Sequence, residues 1–421
     1  MNTSTSWRPS HIKYLAEALN RVDTLRFPAD DILRRFFREH PVLGQNDRAL
    51  IAEGVFAFLR RRRSLKALAQ TTRWQRLALL ILVREFNITL DDALELAEKK
   101  DRDWLNDLPE RLSFPLRAAE DADVPDALWA RLGEEYEEAR RLSLAQVWQK
   151  SAHFDLRVNT QKISRDEALR VLRNESFSVA PTPYSPYGLR VFGRPMLAKH
   201  TWLMNGYLEV QSESSQIAGL LVAPKRGEMI ADFCAGAGGK TLLLGMLMRS
   251  QGRLYAFDIS ERRLRKLAPR LARSGLSNVH PQRLSHENDI KIKRLARKMD
   301  RVLVDAPCTG TGTLQRNPDL KWCYNEEGLR ELNEKQLSIL SSAARLVKPQ
   351  GRLVYATCSV LRAENEIIAE RFLETHRDFC LCSADTLLAD AKVPLDTGAY
   401  LKIFPDTHET DGFFAATFVR N

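Results

Sequence analysis

The spacing of apolar residues predicts helices over the first third of the chain. Between residues 1 and 145, apolar side chains recur at helical intervals, for example at Leu50, Ile51, Val55, Phe56 and Leu59. Proline stands where a helix is expected to begin, as at Pro28. Alternating strand patterns and glycine-rich turns do not interrupt this region. The pattern therefore predicts an all-α bundle over residues 1–145.

The pattern changes in residues 146–215, which predict a small α+β segment. Residues 154–158 alternate between apolar and polar side chains, as a half-buried strand does. Ser164 is a candidate N-cap for a short helix, with Glu167 at the capping-box position. Several prolines follow, and a further strand is expected over 189–192.

Strand and helix patterns alternate from residue 216 to residue 421. Short apolar runs predict strands over 229–233, 254–257, 302–304 and 353–355. Helical patterns lie between or after them, over 240–250, 261–274, 328–347 and 363–376. This rhythm indicates βαβ units, so residues 216–421 are predicted to form an α/β, Rossmann-like domain with a mostly parallel, doubly wound sheet. A last strand over 412–419 is expected to close the sheet in the antiparallel direction.

Composition adds a basic charge to this picture. The 421 residues carry a net charge of +10. An excess of this size favours a polyanionic partner, RNA or DNA, over a membrane surface. The run Arg60–Arg63, with Lys66, is either a solvated helix face or a set of phosphate contacts.

Several classes of protein are disfavoured. Six cysteines in a chain of 421 residues do not predict a disulfide framework. No Cys-x-x-Cys pair is present, so a zinc site is not expected, and no other metal site is predicted. The N-terminus lacks the apolar core of a signal peptide, and the longest aliphatic run, Leu77–Val83, is too short to span a bilayer. We therefore expect a cytoplasmic protein with reduced thiols and no membrane attachment. A monomer is the default expectation.

Two cysteines follow predicted strands of the same sheet. Cys308 lies just after the run 302–304, and Cys358 lies just after the run 353–355. In a parallel sheet both thiols emerge at the carboxyl edge, where open α/β sheets bind their ligands. A thiolate is a strong nucleophile, so the pair suggests covalent catalysis with a second group that handles protons. The alternative is two ordinary buried cysteines.

A glycine-rich turn follows the first of these strands and opens a helix. Gly236, Gly238 and Gly239 let the backbone of the loop come close to a ligand. The loop also includes Cys234, Ala235, Ala237 and Lys240, and two ligands fit it: a nucleoside triphosphate or S-adenosyl-L-methionine. Gly239-Lys240-Thr241 resembles the end of a phosphate-binding loop, but that motif needs glycine at position 234, where this chain has cysteine.

Three acidic residues are candidates for the same crevice. Asp258 ends the second predicted strand, where a carboxylate can accept hydrogen bonds from both ribose hydroxyls of an adenosine. Asp305 ends a later strand beside the same crevice. Asp289 either approaches the adenine or caps a helix over 290–298.

The motifs together resemble the cytosine-C5 RNA methyltransferases of the RsmB/Nop2/Sun type. The similar segments are Asp232–Thr241, Asp305–Gly312, Asn317–Trp322, Ala356–Ser359, Glu364–Glu366, Leu156–Thr160 and Gln211–Gln216. The resemblance covers roughly residues 150–421 and implies a class I methyltransferase domain that uses S-adenosyl-L-methionine. The helical front end is similar to the antitermination-factor-like RNA-binding domain of the ribosomal branch.

The resemblance also implies a role for each candidate catalytic residue. Cys358 is the implied nucleophile, which adds to C6 of the cytosine and makes C5 reactive. Asp305 would protonate or hydrogen-bond N3. Cys308 is implicated in the release of the methylated base. Lys240 would support the carboxylate or make nearby thiols more acidic.

The implied substrate is RNA, with small-subunit (16S) ribosomal RNA as the first expectation. A transfer RNA target keeps the same chemistry and is the nearest alternative. A nucleoside triphosphatase is disfavoured by Cys234. A non-catalytic RNA-binding factor would need neither Cys308 nor Cys358.

Overall fold

The computed structural model describes residues 7–193, 197 and 200–421. Residues 1–6, for which the sequence predicts no signal peptide, lie outside the described residues. The chain forms two compact units: Met1–Ser151 with Leu314–Asn325, and Ala152–Thr313 with Glu326–Asn421. The division into domains at 1–145, 146–215 and 216–421 stays a prediction.

The first unit is helical over its N-terminal part. Its helices are α1 (Pro9–Val22), α2 (Ala29–Glu39), α3 (Gln45–Arg60), α4 (Arg62–Ala69), α5 (Trp74–Glu85), α6 (Leu90–Leu96), α7 (Lys99–Asn106), α8 (Leu108–Leu112), α9 (Ala118–Asp121), α10 (Asp126–Glu135) and α11 (Glu138–Trp148). Helix α5 is buried without interruption from Leu77 to Leu82, so it is a central helix of the core rather than a surface helix. The described helices include none that is both long and apolar enough to cross a membrane.

The arginine run of this unit is paired with groups of the unit itself. Arg61 pairs with Glu85, Arg62 with Asp23, and Arg63 with Asp126. Burial lowers the pKa of Arg60 to about 10, and its Nε donates to the carbonyl of Gln315 at 3.3 Å. The run therefore helps to build the helical unit, and phosphate contacts are not needed to explain its charges.

The second unit begins with a four-stranded antiparallel sheet. Its elements are β1 (Phe154–Val158), α12 (Arg165–Asn174), β2 (Val179–Pro181), β3 (Gly188–Val191), α13 (Thr201–Met204), β4 (Leu208–Val210) and α14 (Glu213–Leu220). The strands lie in the order β2-β3-β1-β4. The predicted cap of α12 is confirmed, because the side chain of Ser164 accepts a hydrogen bond from the backbone N–H of Glu167.

The rest of the second unit alternates strand and helix, as predicted. Its strands are β5 (Met229–Asp232), β6 (Arg253–Asp258), β7 (Val279–Arg283), β8 (Met299–Asp305), β9 (Val347–Thr357), β10 (Phe379–Cys382), β11 (Leu401–Ile403) and β12 (Phe413–Arg420). Its helices are α15 (Gly239–Leu247), α16 (Glu261–Ser274), α17 (Ile290–Arg294), α19 (Glu326–Ala344), α20 (Glu366–Thr375), α21 (Ala384–Asp390) and α22 (Pro405–His408). Helix α18 (Asp319–Cys323) lies between α17 and α19 in the sequence but belongs to the first unit.

The large sheet is doubly wound. Its strands lie in the order β10-β12-β9-β8-β5-β6-β7, with β11 paired to β12. Strands β5 to β9 pair in parallel, and β12 pairs antiparallel to β9, as predicted. It does not close the sheet, because β10 pairs with its other side and forms the edge. Along β9, Leu353 and Tyr355 join the core on one face while Val354 and Ala356 join the core on the other. Both faces are therefore covered, which explains the continuous apolar runs of the sequence.

The strand order reverses at β5, which pairs with β6 on one side and β8 on the other. The carboxyl ends of β5 and β8 therefore flank a topological switch point, where open α/β sheets place their ligands. Asp232 ends β5, Asp258 ends β6 and Asp305 ends β8. The fold brings these three carboxylates to one edge.

Candidate active site

The glycine loop between β5 and α15 is tied to its neighbouring strands. Phe233 N–H donates to the carbonyl of Leu303 at 2.8 Å, and Ala235 N–H donates to the carbonyl of Phe257 at 2.8 Å. Gly238 has a φ of +88° and begins α15 as its N-cap. A Cβ there would lie 2.1 Å from Cδ1 of Leu267, so this turn needs glycine for both conformation and packing.

Asp258 holds this loop through its carboxylate. Its Oδ2 accepts the N–H of Gly236 at 2.8 Å, and its Oδ1 accepts the N–H of Ser260 at 2.7 Å. A carboxylate has about four acceptor positions, so these two bonds leave others for the hydroxyls of a ribose. Its contact with a ribose stays a prediction.

Lys240 and Asp305 form an ion pair at the same edge. Lys240 Nζ lies 2.9 Å from Asp305 Oδ2 and 4.6 Å from the centre of the Phe413 ring. The lysine is buried, whereas about a third of the aspartate side chain is exposed (32%). The buried lysine therefore fixes the carboxylate of Asp305 by an ion pair, and the carboxylate stays accessible to a ligand.

Asp232 ends β5, and Cys234 lies in the loop itself, packed against the core on one face of the sheet. Burial raises the pKa of Asp232 to about 7, although Thr241 Oγ1 donates a hydrogen bond to its Oδ2 at 2.6 Å. Burial, followed by the charge of Asp232, raises the pKa of the Cys234 thiol well above its ordinary value. Cys234 is therefore a neutral thiol in the wall of the loop.

Asp289 caps a helix. Its Oδ1 accepts the N–H of Lys291 at 2.9 Å, and its Oδ2 accepts the N–H of Ser285 at 2.9 Å. These backbone hydrogen bonds lower the pKa of its carboxyl group. Asp289 therefore caps helix α17, which is one of its two predicted roles. The other predicted role, contact with an adenine, stays a prediction.

The two candidate catalytic thiols meet at the carboxyl ends of β8 and β9. Cys308 Sγ lies 3.5 Å from Cys358 Sγ. The hydrogen bond with Cys358, followed by burial, raises the pKa of Cys308 well above its ordinary value. Cys308 is therefore held as a neutral thiol, which is the form that can donate a proton.

Two polar side chains bracket Cys308. Glu364, which is fully buried, accepts the backbone N–H of Thr309 at 2.9 Å. Gln336 of α19 donates to the carbonyl of Pro307 at 2.9 Å and to Glu364 Oε1 at 3.0 Å. The residues just before and just after Cys308 are therefore both fixed by buried groups.

Asn365 brackets Cys358 in the same way. It accepts a hydrogen bond from Thr357 Oγ1, and its Nδ2 donates to the carbonyl of Ser359 at 3.0 Å. The carbonyl of Cys358 itself accepts the N–H of Gly312 at 2.9 Å. Two consecutive residues, Glu364 and Asn365, therefore position the two thiol loops, and nothing in the sequence pattern indicates this role.

The edge also has the features that an adenosine-containing cofactor requires. A Cβ built on Gly236 would have no heavy atom within 4 Å, so the loop faces open space beside Asp258. The loop opens helix α15, whose N-terminal amides favour the carboxylate of S-adenosylmethionine. The residues that would hold it are Cys234, Ala235, Gly236, Ala237, Gly238, Gly239, Lys240, Asp258 and Asp305.

Two regions of the chain match known families. Residues 219–419 match the family described as 16S rRNA methyltransferase RsmB/F, and residues 124–195 match the RsmF/B-like ferredoxin-like domain. A probable ribosomal RNA small subunit methyltransferase B from Synechocystis sp. is 34% identical over 301 residues, which are 70% of this chain and 67% of that protein. The chain belongs to the RsmB/F methyltransferase family.

Other relatives agree with this family. A probable ribosomal RNA small subunit methyltransferase B from Bacillus subtilis is 32% identical over 62% of this chain and 58% of its own length, so the match spans less than two thirds of that relative. The crystal structure of PH0851 has a TM-score of 0.79 and 26% identity, covering 98% of this chain and 99% of its own. A methyltransferase homologue from Pyrococcus horikoshii has a TM-score of 0.57 and 27% identity, covering 71% and 100%.

Membership confirms several predictions at once. The predicted family, the Rossmann-like methyltransferase domain behind a helical region, and the enzyme class are all confirmed. RsmB/F proteins are S-adenosylmethionine-dependent methyltransferases, in agreement with the predicted cofactor. The roles of the individual site residues stay predictions.

Proposed function

We propose that this RsmB/F protein transfers a methyl group from S-adenosylmethionine to C5 of a cytosine in small-subunit ribosomal RNA. The observation that carries the proposal is the 3.5 Å approach of Cys308 and Cys358 at the sheet edge that also holds the Lys240–Asp305 pair. A binding module needs no such pair of thiols. The names of the relatives support ribosomal RNA as the substrate.

Cys358 acts as the nucleophile in this proposal. Its sulfur forms a bond to C6 of the cytosine, and the electron pair of the C5–C6 double bond becomes available at C5. Asp305 protonates or hydrogen-bonds N3 and so absorbs the charge that develops on the ring. Lys240, at 2.9 Å, keeps the Asp305 side chain oriented toward the base.

S-adenosylmethionine supplies the methyl group that C5 takes up. The C5 proton then passes to a base from the solvent, the electron pair of the C5–H bond re-forms the C5–C6 double bond, and the bond from Cys358 to C6 breaks with its electron pair returning to the sulfur. Cys308 assists this release, since its neutral thiol lies beside the departing sulfur. The target base must leave its helix to reach the edge of the sheet, so a flipped or unpaired cytosine is expected.

The test is methyl transfer to defined RNAs. The protein is incubated with S-adenosylmethionine carrying a labelled methyl group and with free 16S ribosomal RNA, small-subunit particles or transfer RNA, and the RNA is digested to nucleosides. Labelled 5-methylcytidine from ribosomal RNA or particles is the expected result. Labelled 5-methylcytidine in transfer RNA alone would show that transfer RNA, and not ribosomal RNA, is the substrate. Cofactor binding without label in any RNA would favour a binding factor.

A further inference from the structure

A side chain of helix α16 holds the glycine loop by its backbone. The carbonyl of Ala237 accepts a hydrogen bond from Arg270 Nη1 at 2.6 Å. Ala237 lies between Gly236 and Gly238, whose φ angles of +57° and +88° place both in the left-handed region. Glycine has more backbone freedom than any other residue, so the peptide group between Ala237 and Gly238 depends on this hydrogen bond for its orientation.

Glu209 of β4 fixes the direction of the Arg270 guanidinium group. Glu209 Oε2 accepts hydrogen bonds from Arg270 Nε at 3.1 Å and from Arg270 Nη2 at 2.9 Å. A guanidinium group is planar and rigid, so two nitrogens bonded to Glu209 determine where the third, Nη1, points. The Glu209 side chain is buried, which protects this ion pair from screening by salt.

A second arginine completes the hydrogen bonds of this carboxylate. Glu209 Oε1 accepts hydrogen bonds from Arg273 Nε at 3.3 Å and from Arg273 Nη2 at 3.0 Å. Each oxygen of Glu209 is therefore held by one arginine of α16, and the carboxylate cannot rotate freely. Arg273 repeats the contact that Arg270 makes with Glu209, but in the described part of the chain its side chain makes no hydrogen bond to the glycine loop.

The segment that follows β1 holds the helix that the glycine loop begins. Gln161 Nε2 donates to the carbonyls of Gly245 and Met246, both at 3.3 Å. These carbonyls lie in the last turn of α15, where they lack partners within their own helix. The four-stranded sheet and its connections therefore support both the loop and the far end of its helix, although the proposed chemistry gives this sheet no role.

We propose that Arg270 is a positioning residue for S-adenosylmethionine, and that Glu209, by orienting Arg270, makes the four-stranded sheet part of the cofactor site. The hydrogen bond to Ala237 keeps the glycine loop ordered before the ligand arrives, so binding loses less conformational entropy. This inference rests on the proposed contact between the glycine loop and S-adenosylmethionine, and not on which RNA is methylated.

The test compares two lysine variants of the full-length protein. Arg270→Lys keeps the positive charge but has a single ammonium group, which cannot reproduce the rigid fork between Glu209 and Ala237. Arg273→Lys is the matched control, because it disturbs the same kind of contact with Glu209 and leaves the hydrogen bond to Ala237 in place. Glu209→Gln is a second positioning variant, in case Arg270→Lys folds poorly.

Three quantities are measured for each folded variant, all without RNA. They are the affinity for S-adenosylhomocysteine by calorimetry, the hydrogen–deuterium exchange of the peptide that contains residues 232–241 in the cofactor-free protein, and the melting temperature. We expect Arg270→Lys to bind S-adenosylhomocysteine about tenfold more weakly and its loop to exchange about fivefold faster, because an unsupported loop must be ordered during binding. Glu209→Gln should change both quantities in the same directions by about threefold.

The control separates positioning from stability. Arg273→Lys should stay within about twofold of wild type in affinity and in exchange, while its melting temperature falls by an amount similar to that of Arg270→Lys, since both variants weaken hydrogen bonds to Glu209. A residue that contributed only to stability would lower the melting temperature and leave the affinity of the folded protein unchanged.

The outcomes also separate this inference from the proposed function. Equal affinities in Arg270→Lys and Arg273→Lys would overturn the role of Arg270, whether or not the exchange of the loop changes. Weaker binding by Arg270→Lys, together with a wild-type protein that binds S-adenosylhomocysteine but methylates no RNA, would refute the proposed function and support the role of Arg270.

Discussion

Cys308 Sγ and Cys358 Sγ lie 3.5 Å apart, although fifty residues separate them along the chain. Adjacent parallel strands produce this approach, because Asp305 of β8 pairs with Ala356 of β9. Cys308 comes three residues after Asp305, and Cys358 comes two residues after Ala356. The pair is therefore a consequence of sheet topology. Its fine geometry depends on the side chains that bracket the two loops.

Glu364→Gln tests this bracket. Glutamine keeps one acceptor oxygen but presents an amide group to Gln336. The hydrogen bonds that fix Thr309 and Pro307 therefore weaken. We expect kcat for RNA methylation to fall about 10- to 100-fold, with the affinity for S-adenosylhomocysteine unchanged. The measurement is steady-state methylation together with calorimetric titration of that product.

Glu366→Gln is the matched control for this change. Glu366 is also largely buried, but it pairs with Lys402 at 2.7 Å. The kcat of Glu366→Gln for RNA methylation should stay within about twofold of wild type, because the change lies away from the reacting groups. Equal losses in both variants would show that Glu364 contributes only to stability.

Asp258→Asn tests the adenosine site. Asparagine keeps one acceptor oxygen, so the contact with Gly236 or Ser260 is lost together with the charge that attracts ribose hydroxyls. The affinity for S-adenosylhomocysteine should fall about tenfold or more, the loss expected for a charged hydrogen bond. Glu261→Gln, an exposed acid at the start of α16, should leave it unchanged. Unchanged binding by Asp258→Asn would place the ribose elsewhere.

Lys321→Met should change how stability depends on pH. Burial lowers the pKa of Lys321 to about 7 in the folded protein, against 10.5 ordinarily. Between these two values the unfolded chain binds a proton that the folded chain lacks, so the wild type gains stability from this lysine as the pH rises. The variant lacks this gain. Its melting temperature relative to wild type should therefore fall between pH 7 and pH 9.

Lys66→Met is the control for the pH measurement. Lys66 lies at the surface of the same unit and pairs with Asp23. The difference in melting temperature between Lys66→Met and wild type should change less between pH 7 and pH 9. A Lys321→Met difference that stays constant with pH would mean that Lys321 remains charged in the folded protein throughout this range.

Much of the catalytic unit could be predicted because its signals are local and strong. The apolar runs that became β5, β6, β8 and β9 are separated by helical patterns, and this order alone brings Asp258, Asp305, Cys308 and Cys358 to one sheet edge. The cap by Ser164 depends on residues three apart. Such features need no knowledge of distant contacts.

The remaining features depend on partners that are distant in sequence. The Arg60–Arg63 run gave no sign that Asp23, Glu85 and Asp126 would neutralise it. Residues Leu314–Asn325 lie within the predicted catalytic domain but group with the helical unit. Their hydrogen bonds to Ala29 of α2 and Arg60 of α3 join residues that are more than 250 positions apart in the sequence. Gln336 and Glu364 are ordinary polar residues of helical patterns until the fold places them beside Cys308.

Covalent trapping tests the central claim most directly. Wild type, Cys308→Ala and Cys358→Ala are each mixed with S-adenosylmethionine and unmodified small-subunit ribosomal RNA, and RNA that stays attached in denaturant is measured. We expect an adduct that accumulates in Cys308→Ala and is absent in Cys358→Ala, because Cys358 forms the bond and Cys308 assists its release. An adduct in Cys358→Ala alone would exchange the roles of the two thiols and contradict the account.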